Sequence, residues 1–116
     1  MRDCMAEMQS TGISDAVKDA VFNKPVMAIC VGMQALFQHS EENGGVDCLG
    51  ILGGTVKRFQ DSWVDNDSQP IKIPHMGWNN LISLSGPPLV SEIGEAPMYF
   101  THSFAFFPDD PADVAA

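Results

Sequence analysis

Cys30 lies where an apolar run, residues 26–29, gives way to a helix-like pattern, and Gly32 follows two residues later. A cysteine at such a strand-to-helix turn can act as a nucleophile, because the partial positive charge of a helix N-terminus favours thiolate over thiol. The free backbone N–H of Val31 would point to where an oxyanion develops during attack on a carbonyl group. Glycine at position 32 permits close backbone packing at a sharp turn. The alternative is a small buried core residue, since free cysteine is among the most buried residue types.

A cysteine nucleophile needs a histidine as its base and a carboxylate to orient that histidine. The first candidate is His39, which is followed two residues later by Glu41. It lies on the same predicted helix as Cys30, at a distance of roughly 13 Å along the axis. Hydrogen-bond reach is about 3 Å. We therefore expect His39 to be a solvated surface residue rather than the base.

Unlike His39, the other two histidines lack a carboxylate two residues further on. His75 lies in the stretch PHMGWN, and we interpret it as a structural or interface histidine. His102 lies in YFTHSF at the end of a predicted strand, but the second residue after it is Phe104. The sequence therefore predicts a nucleophile whose base is not within this chain.

The elements around these residues alternate between helix and strand, which predicts an α/β layered domain. In the first half we expect three helices, over residues 1–10, 15–22 and 31–40, and Ser14 as the N-cap of the second. We also expect a strand over 26–29 that is buried on both faces, and a loop over 41–45. In the second half we expect strands over 55–59, 71–73, 80–84 and 98–106, an exposed loop over 60–70, a turn over 86–88 and a tail over 108–116.

Composition limits the class of protein. The chain has 116 residues, 45% of them hydrophobic, which suits one globular domain. Its net charge of −9 argues against nucleic acid or an anionic membrane as the partner. The 3 cysteines form neither a disulfide framework nor a zinc pattern. We see no signal peptide or membrane-spanning run and expect a reducing, cytoplasmic setting without a cofactor or metal.

The stretch AICVGMQALF resembles the nucleophile turn of class I glutamine amidotransferases, whose usual form is G-[IV]-C-x-G-x-Q. More narrowly, the chain is similar to the glutaminase subunits of imidazole glycerol phosphate synthase, from histidine biosynthesis. Four stretches match in order: KPVMAICVGMQALFQHSEE, LGILGGTVKRF, KIPHMGWNNL and MYFTHSF. PHMGWN is the most discriminating of them. The resemblance covers residues 1–107, and it departs from the family at Ala28, where glycine is usual.

This resemblance implies a flavodoxin-like amidotransferase fold that hydrolyses glutamine to glutamate and ammonia. Cys30 would be the nucleophile and Val31 the backbone oxyanion donor. The residues that would contact glutamine are Gln34, Glu42, Thr101, His102 and Ser103. The residues that would face the cyclase subunit, to which ammonia passes, are His75, Gly77, Trp78 and Asn79.

Two parts of the family pattern are missing, so we expect an incomplete domain. The catalytic histidine and glutamate belong to a later F-H-P-E-type motif, and a P-G-V-G-type turn belongs to strands ahead of the first helix. We expect one partial domain over 1–116, divided into residues 1–45, a mainly β part over 46–107 and a tail over 108–116. A chain of this kind should be inactive alone. Because residues 26–29 read as a buried strand without enough neighbours, we also expect self-association.

Two alternatives stay open. One is a non-catalytic interaction module that keeps the partner-facing PHMGWN segment. The other is a different flavodoxin-like cysteine hydrolase. Such hydrolases usually carry A-x-C-H-G, whereas Val31 follows the cysteine here.

Overall fold

The computed structural model describes residues 1–65, 67–82 and 96–115. Its helices are α1 (Arg2–Ser10), α2 (Ile13–Asn23) and α3 (Val31–Leu36), and its strands are β1 (His39–Ser40), β2 (Val46–Asp47), β3 (Gly54–Arg58), β4 (His75–Asn80), β5 (Pro97–His102) and β6 (Phe104–Pro108). Short 3-10 helices cover Glu42–Gly44 and Pro111–Asp113. The fold is therefore mixed α/β, as the alternating pattern predicts.

The chain divides into two compact units. Unit 1 comprises Met1–Lys57 and Phe106–Asp109, and it contains all three described α-helices. Unit 2 comprises Arg58–Ala105 and Asp110–Ala116, and it contains β4 and β5. The candidate chemistry around Cys30 thus belongs to unit 1, and the PHMGWN segment belongs to unit 2.

The core of unit 1 forms where α1 meets α3. Met1, the N-cap of α1, and Met5, one turn later, are buried with Ala35 of α3 and with Leu49. Phe37 follows α3 and stacks on Phe106, with 5.4 Å between the ring centroids. This packing anchors the C-terminal end of the helix that begins immediately after Cys30.

A four-stranded sheet lies beside this core, in the order β2-β1-β3-β6. β1 pairs antiparallel with β2 and parallel with β3. At Gly54, where φ is +118°, a Cβ atom would overlap the carbonyl oxygen of Phe107. Only glycine suits this close approach of the backbone. The sheet is therefore a short partial one, in which β1 has just two residues.

The second sheet consists of β4 and β5, which pair antiparallel from His75↔His102 to Asn80↔Pro97. Side chains alternate between the two faces of a strand. His75, Gly77 and Asn79 consequently share one face of β4, and Trp78 lies on the other.

Several predicted boundaries are wrong. The second helix begins at Ile13 after an N-cap at Gly12, so Ser14 lies inside the helix and makes no cap. The third helix ends at Leu36, because the chain turns extended at Phe37 and enters β1.

The predicted strands of the second half also differ. No strand forms at 71–73. In place of the predicted strand 80–84, β4 begins upstream, at His75. Residues 83–84 of that prediction lie outside the described residues. The predicted strand 98–106 is two strands that are separated at Ser103. The predicted turn 86–88 also lies outside the described residues.

The largest error concerns residues 26–29. The sequence predicts a strand buried on both faces, but the structure assigns no strand to this segment. Val26 is 44% exposed, Met27 73% and Ile29 71%. An apolar run forms a buried strand only when neighbouring strands accept its backbone hydrogen bonds, and no described strand lies beside this one.

Candidate active site

Cys30 lies at a strained turn directly before α3. Its φ of 52° and ψ of −115° fall outside the regions that L-residues favour. Such a conformation costs on the order of 1–3 kcal/mol and is typical of functional sites. The residue is exposed, which excludes the alternative of a buried core cysteine. α3 has only 6 residues, so it has little macrodipole with which to activate the thiol.

The first backbone N–H group after Cys30, that of Val31, has no acceptor among the described residues, whereas those of Gly32 and Gln34 do. The Gly32 N–H donates to the Ile29 carbonyl oxygen at 2.9 Å, and the Gln34 N–H donates to the Cys30 carbonyl oxygen at 3.1 Å. The N–H of Val31 finds no acceptor in the part of the chain that the structure describes. A Cβ at Gly32 would lie 3.9 Å from the Ala28 methyl group, which is an ordinary van der Waals contact.

Ser40 connects two of the predicted glutamine-binding residues. Its Oγ donates to Oε1 of Gln34 at 3.2 Å, and it accepts the backbone N–H of Glu42 at 3.3 Å. Ser40 itself is fully buried. Glu42 also accepts, through Oε1, a hydrogen bond from the N-terminal ammonium group of Met1 at 3.2 Å. The structure thus brings Gln34 and Glu42 together through a serine that the sequence analysis placed at a helix end.

His39 has a partly exposed side chain, as expected of a surface residue, but the predicted helix around it is wrong. It lies on β1, so the helical spacing from Cys30 that excluded it does not apply. Its Nδ1 lies 2.9 Å from Oδ1 of Asp47, its cross-strand neighbour, whereas the sequence suggested Glu41 as a partner. The carboxylate of Asp47 is almost fully exposed. His39 therefore contacts a surface carboxylate, and no hydrogen bond joins it to Cys30 in the described part of the chain.

The other two histidines bond to each other in unit 2. Nδ1 of His75 lies 3.1 Å from Nε2 of His102, and Nδ1 of His102 lies 3.0 Å from the Phe104 carbonyl oxygen. Nδ2 of Asn79 lies 3.4 Å from Nε2 of His75. Since a carbonyl oxygen only accepts, His102 donates from Nδ1, His75 donates to His102, and Asn79 donates to His75. Each imidazole nitrogen already has a partner.

The remaining predicted residues of unit 2 fall on several surfaces. Thr101 is exposed on β5, and the Ser103 carbonyl oxygen accepts the Phe59 N–H at 2.9 Å. Trp78 is 68% exposed and meets Tyr99 edge-on, with 5.3 Å between the ring centroids. With Met76, these two side chains form an exposed apolar face of the β4–β5 sheet, which we call the Trp78 face. His75, Gly77 and Asn79 lie on the opposite face.

Among the titratable groups of the described residues, one thiol has a clearly shifted pKa. Burial, with a smaller contribution from Asp47, raises the pKa of the Cys48 thiol, so this cysteine stays protonated where an ordinary thiol ionises. No cluster of three histidine, cysteine or carboxylate side chains suited to a metal ion occurs in residues 1–65, 67–82 and 96–115. Over those same ranges, no helix is long and apolar enough to cross a bilayer.

Comparison with known proteins decides the family. Residues 6–116 match the sequence profile of "Glutamine amidotransferase class-I". The chain belongs to this family. The class I amidotransferase fold expected from the nucleophile turn is thereby confirmed, as an α/β domain whose described sheet is only partial.

Three curated relatives share the name "Imidazole glycerol phosphate synthase subunit HisH". The chain is 48% identical to that of Methylococcus capsulatus over 119 residues, which cover 100% of this chain and 54% of the relative. It is 45% identical to that of Neisseria meningitidis serogroup B over 115 residues, 98% of this chain and 54% of the relative. It is 48% identical to that of Acinetobacter baylyi over 118 residues, which cover 100% of this chain and 55% of the relative. The narrower resemblance is therefore confirmed, and this amidotransferase chain spans about half the length of the relatives it matches.

Proposed function

We propose that this chain supplies the nucleophile and part of the glutamine site of a glutaminase, which hydrolyses glutamine to glutamate and ammonia and passes the ammonia to a cyclase subunit in histidine biosynthesis. The observation that carries the proposal is the exposed Cys30 on a strained turn, beside the free Val31 N–H. The relatives named as subunits of imidazole glycerol phosphate synthase support the assignment to this pathway.

The chemistry follows from this geometry. The Cys30 thiolate attacks the carbonyl carbon of the glutamine side-chain amide, and the resulting oxyanion accepts the Val31 N–H. The tetrahedral intermediate then breaks its C–N bond, and the nitrogen leaves as ammonia once it has gained a proton. The γ-glutamyl thioester that remains is hydrolysed by water, which releases glutamate and regenerates the thiol. Gln34, one helical turn beyond Cys30, and Glu42, which is linked to it through Ser40, would hold the substrate.

Each proton transfer in this sequence needs a base, and none reaches Cys30 from the described residues. No side chain there hydrogen-bonds to the Cys30 sulfur, while His39 pairs with Asp47, and His75 pairs with His102. Losing the base of such a catalytic group costs orders of magnitude in rate. We therefore propose that the chain alone releases ammonia at no more than background rate.

Two measurements test this proposal. The first is ammonia release from glutamine, with and without a cyclase subunit, for the natural chain and for Cys30→Ser. Release by the chain alone that Cys30→Ser abolishes would contradict the proposed inactivity.

The second measurement is alkylation by iodoacetamide, followed by intact mass. We expect Cys30→Ser to remove the fast-reacting thiol and Cys48→Ser to leave it, because burial keeps the Cys48 thiol protonated. Equal initial rates in the two variants would show that the exposed turn does not favour reaction at Cys30.

The interaction-module alternative rests on the Trp78 face. Exposed aromatic side chains of this kind are typical energetic centres of protein interfaces. If the face contacts the cyclase subunit, Trp78→Ala should weaken binding by tenfold or more, about 1.4 kcal/mol or greater. Ile82→Ala is the matched control, since this residue is an equally exposed apolar side chain of unit 2 that lies outside the strand. Equal affinities of the two variants would exclude the face as the contact.

A further inference from the structure

Ser40 is a fully buried polar residue on an internal strand of unit 1. It lies on β1, between β2 and β3, and its cross-strand partners are Val46 and Val56. Val56 is fully buried as well. A hydroxyl group in such an apolar position is costly unless it is hydrogen-bonded, so the partners of Ser40 indicate why a serine lies there.

The hydroxyl group of Ser40 determines the orientation of the Gln34 side-chain amide. Its Oγ donates to Oε1 of Gln34 at 3.2 Å and accepts the backbone N–H of Glu42 at 3.3 Å. If the amide were reversed, its nitrogen would donate to Oγ, and the buried O–H of Ser40 would have no acceptor among the described residues. Ser40 therefore fixes the amide with its oxygen atom turned to the hydroxyl group.

This orientation keeps the amide nitrogen of Gln34 for a ligand. Its N–H donors take part in no hydrogen bond within the part of the chain that the structure describes. Gln34 is half-buried and lies in the first turn of α3, where its backbone N–H donates to the Cys30 carbonyl oxygen at 3.1 Å. A ligand at this turn would satisfy the amide donors with an oxygen atom, since an N–H group binds an acceptor.

We propose that Ser40 is a positioning residue for glutamine, because it holds the Gln34 amide with its N–H donors available to an oxygen atom of the substrate. This inference rests on the proposed function, in which Gln34 and Glu42 would contact glutamine. Ser40 is fully buried, so it acts through these two residues and not by touching the substrate itself. The effect of Ser40 belongs to substrate binding and not to the reactivity of Cys30.

A chloromethyl ketone analogue of glutamine, in which a chloromethyl group replaces the amide nitrogen, measures this role in the full chain. The Cys30 thiolate forms a sulfur–carbon bond while the carbon–chlorine bond breaks and chloride leaves. The reaction thus requires no proton from a catalytic base. Peptide mass spectrometry follows alkylation of Cys30. For the natural chain we expect the rate to saturate with analogue concentration, which gives a half-saturation concentration and a limiting rate.

Ser40→Ala should raise the half-saturation concentration about threefold to tenfold and leave the limiting rate unchanged, because one hydrogen bond that holds Gln34 is lost. Iodoacetamide reacts without a preceding bound complex, so it should alkylate Cys30 at equal rates in the two proteins. Ser14→Ala is the matched control. It removes another buried serine hydroxyl of unit 1, which has no hydrogen-bond partner among the described residues, and it should change neither reaction.

Further variants separate a positioning role from a purely structural one. Ser40→Thr keeps the hydroxyl group and should retain the natural half-saturation concentration. In a Gln34→Ala background, Ser40→Ala should have no additional effect on it, because Ser40 acts through the Gln34 amide. Circular dichroism verifies that each variant is folded. If Ser40→Ala does not fold, Ser40→Cys replaces it, since a thiol fills the site but is only a weak donor.

The outcomes distinguish this inference from the proposed function. A rate that rises linearly with analogue concentration in the natural chain would overturn the proposed glutamine site, and the inference with it. Saturation in the natural chain with an unchanged half-saturation concentration in Ser40→Ala would overturn the role of Ser40 alone. An undiminished effect in the Gln34→Ala background, or an iodoacetamide rate that falls as much as that of the analogue, would do the same.

Discussion

Two serines are buried in unit 1, and their hydroxyl groups differ in their partners. Ser14 has a buried Oγ that finds no hydrogen-bond partner among the described residues, whereas Ser40 bonds to Gln34 and to Glu42. A buried hydroxyl group without a hydrogen-bond partner lowers the free energy of unfolding by roughly 1–3 kcal/mol, whereas two hydrogen bonds offset the cost of burying the group. The same substitution should therefore have opposite effects at the two positions.

We predict that Ser14→Ala raises the free energy of unfolding by about 0.5–1 kcal/mol, because it removes an unpartnered hydroxyl and alanine is the better helix former. Ser40→Ala should lower it by about 1–3 kcal/mol, since the Glu42 N–H and the Gln34 carbonyl group both lose a partner. Urea unfolding, followed by circular dichroism at 222 nm, measures both changes. Equal signs for the two substitutions would contradict this account of the buried hydroxyls.

For single residues, the sequence predicts the chemical role of a side chain well and its structural surroundings poorly. Cys30, Gly32 and Gln34 are recognisable from their types and spacing, because a nucleophile turn needs those residues in that order. The positive φ of Cys30 has no such signal, since it is a non-glycine residue held in a strained conformation by its surroundings. Ser40 was missed because its role depends on β1, which begins where a helix was predicted to continue.

Among the elements, the pairing of β4 with β5 includes a side-chain hydrogen bond between two histidines. Nδ1 of His75 lies 3.1 Å from Nε2 of His102, which is its cross-strand partner. One of these ring nitrogens donates and the other accepts. A side chain without a hydrogen-bonding group at position 75 would therefore leave the His102 ring nitrogen without its partner.

We predict that His75→Phe lowers the free energy of unfolding of unit 2 by about 1–2 kcal/mol, because the His102 ring loses this hydrogen bond. The midpoint of urea unfolding, followed by tryptophan fluorescence, measures the loss. His39→Gln is the control and should leave this midpoint unchanged, because His39 lies in unit 1. Equal midpoints for the natural chain and His75→Phe would show that the histidine pair does not stabilise unit 2.

The elements that the sequence predicts correctly are those whose own residues suffice to form them. α1 and α2 lie close to their predicted bounds because their apolar positions recur with helical spacing. Residues 26–29 have the composition of a buried strand, but a strand also needs a neighbour. β4 was missed for the opposite reason. Its polar and glycine-containing sequence, HMGWNN, has little strand signal, and pairing with β5 supplies the structure.

At the scale of the whole molecule, the two units differ in the number of buried side chains. Every described side chain in the most buried class, from Met1 to Val56, belongs to unit 1, whereas unit 2 has no described residue in that class. Burial of apolar surface is the main source of stability. Unit 2 should therefore unfold more readily than unit 1.

The tryptophans and the helices of the chain allow the unfolding of the two units to be followed separately. Both tryptophans, Trp63 and Trp78, lie in unit 2, and the three described α-helices lie in unit 1. We predict that tryptophan fluorescence changes at a lower urea concentration than ellipticity at 222 nm, which reports mainly on helices. Trp63→Phe retains Trp78 as the single probe and should preserve the order of the two transitions. Coincident transitions would mean that the two units unfold as one cooperative structure despite their unequal cores.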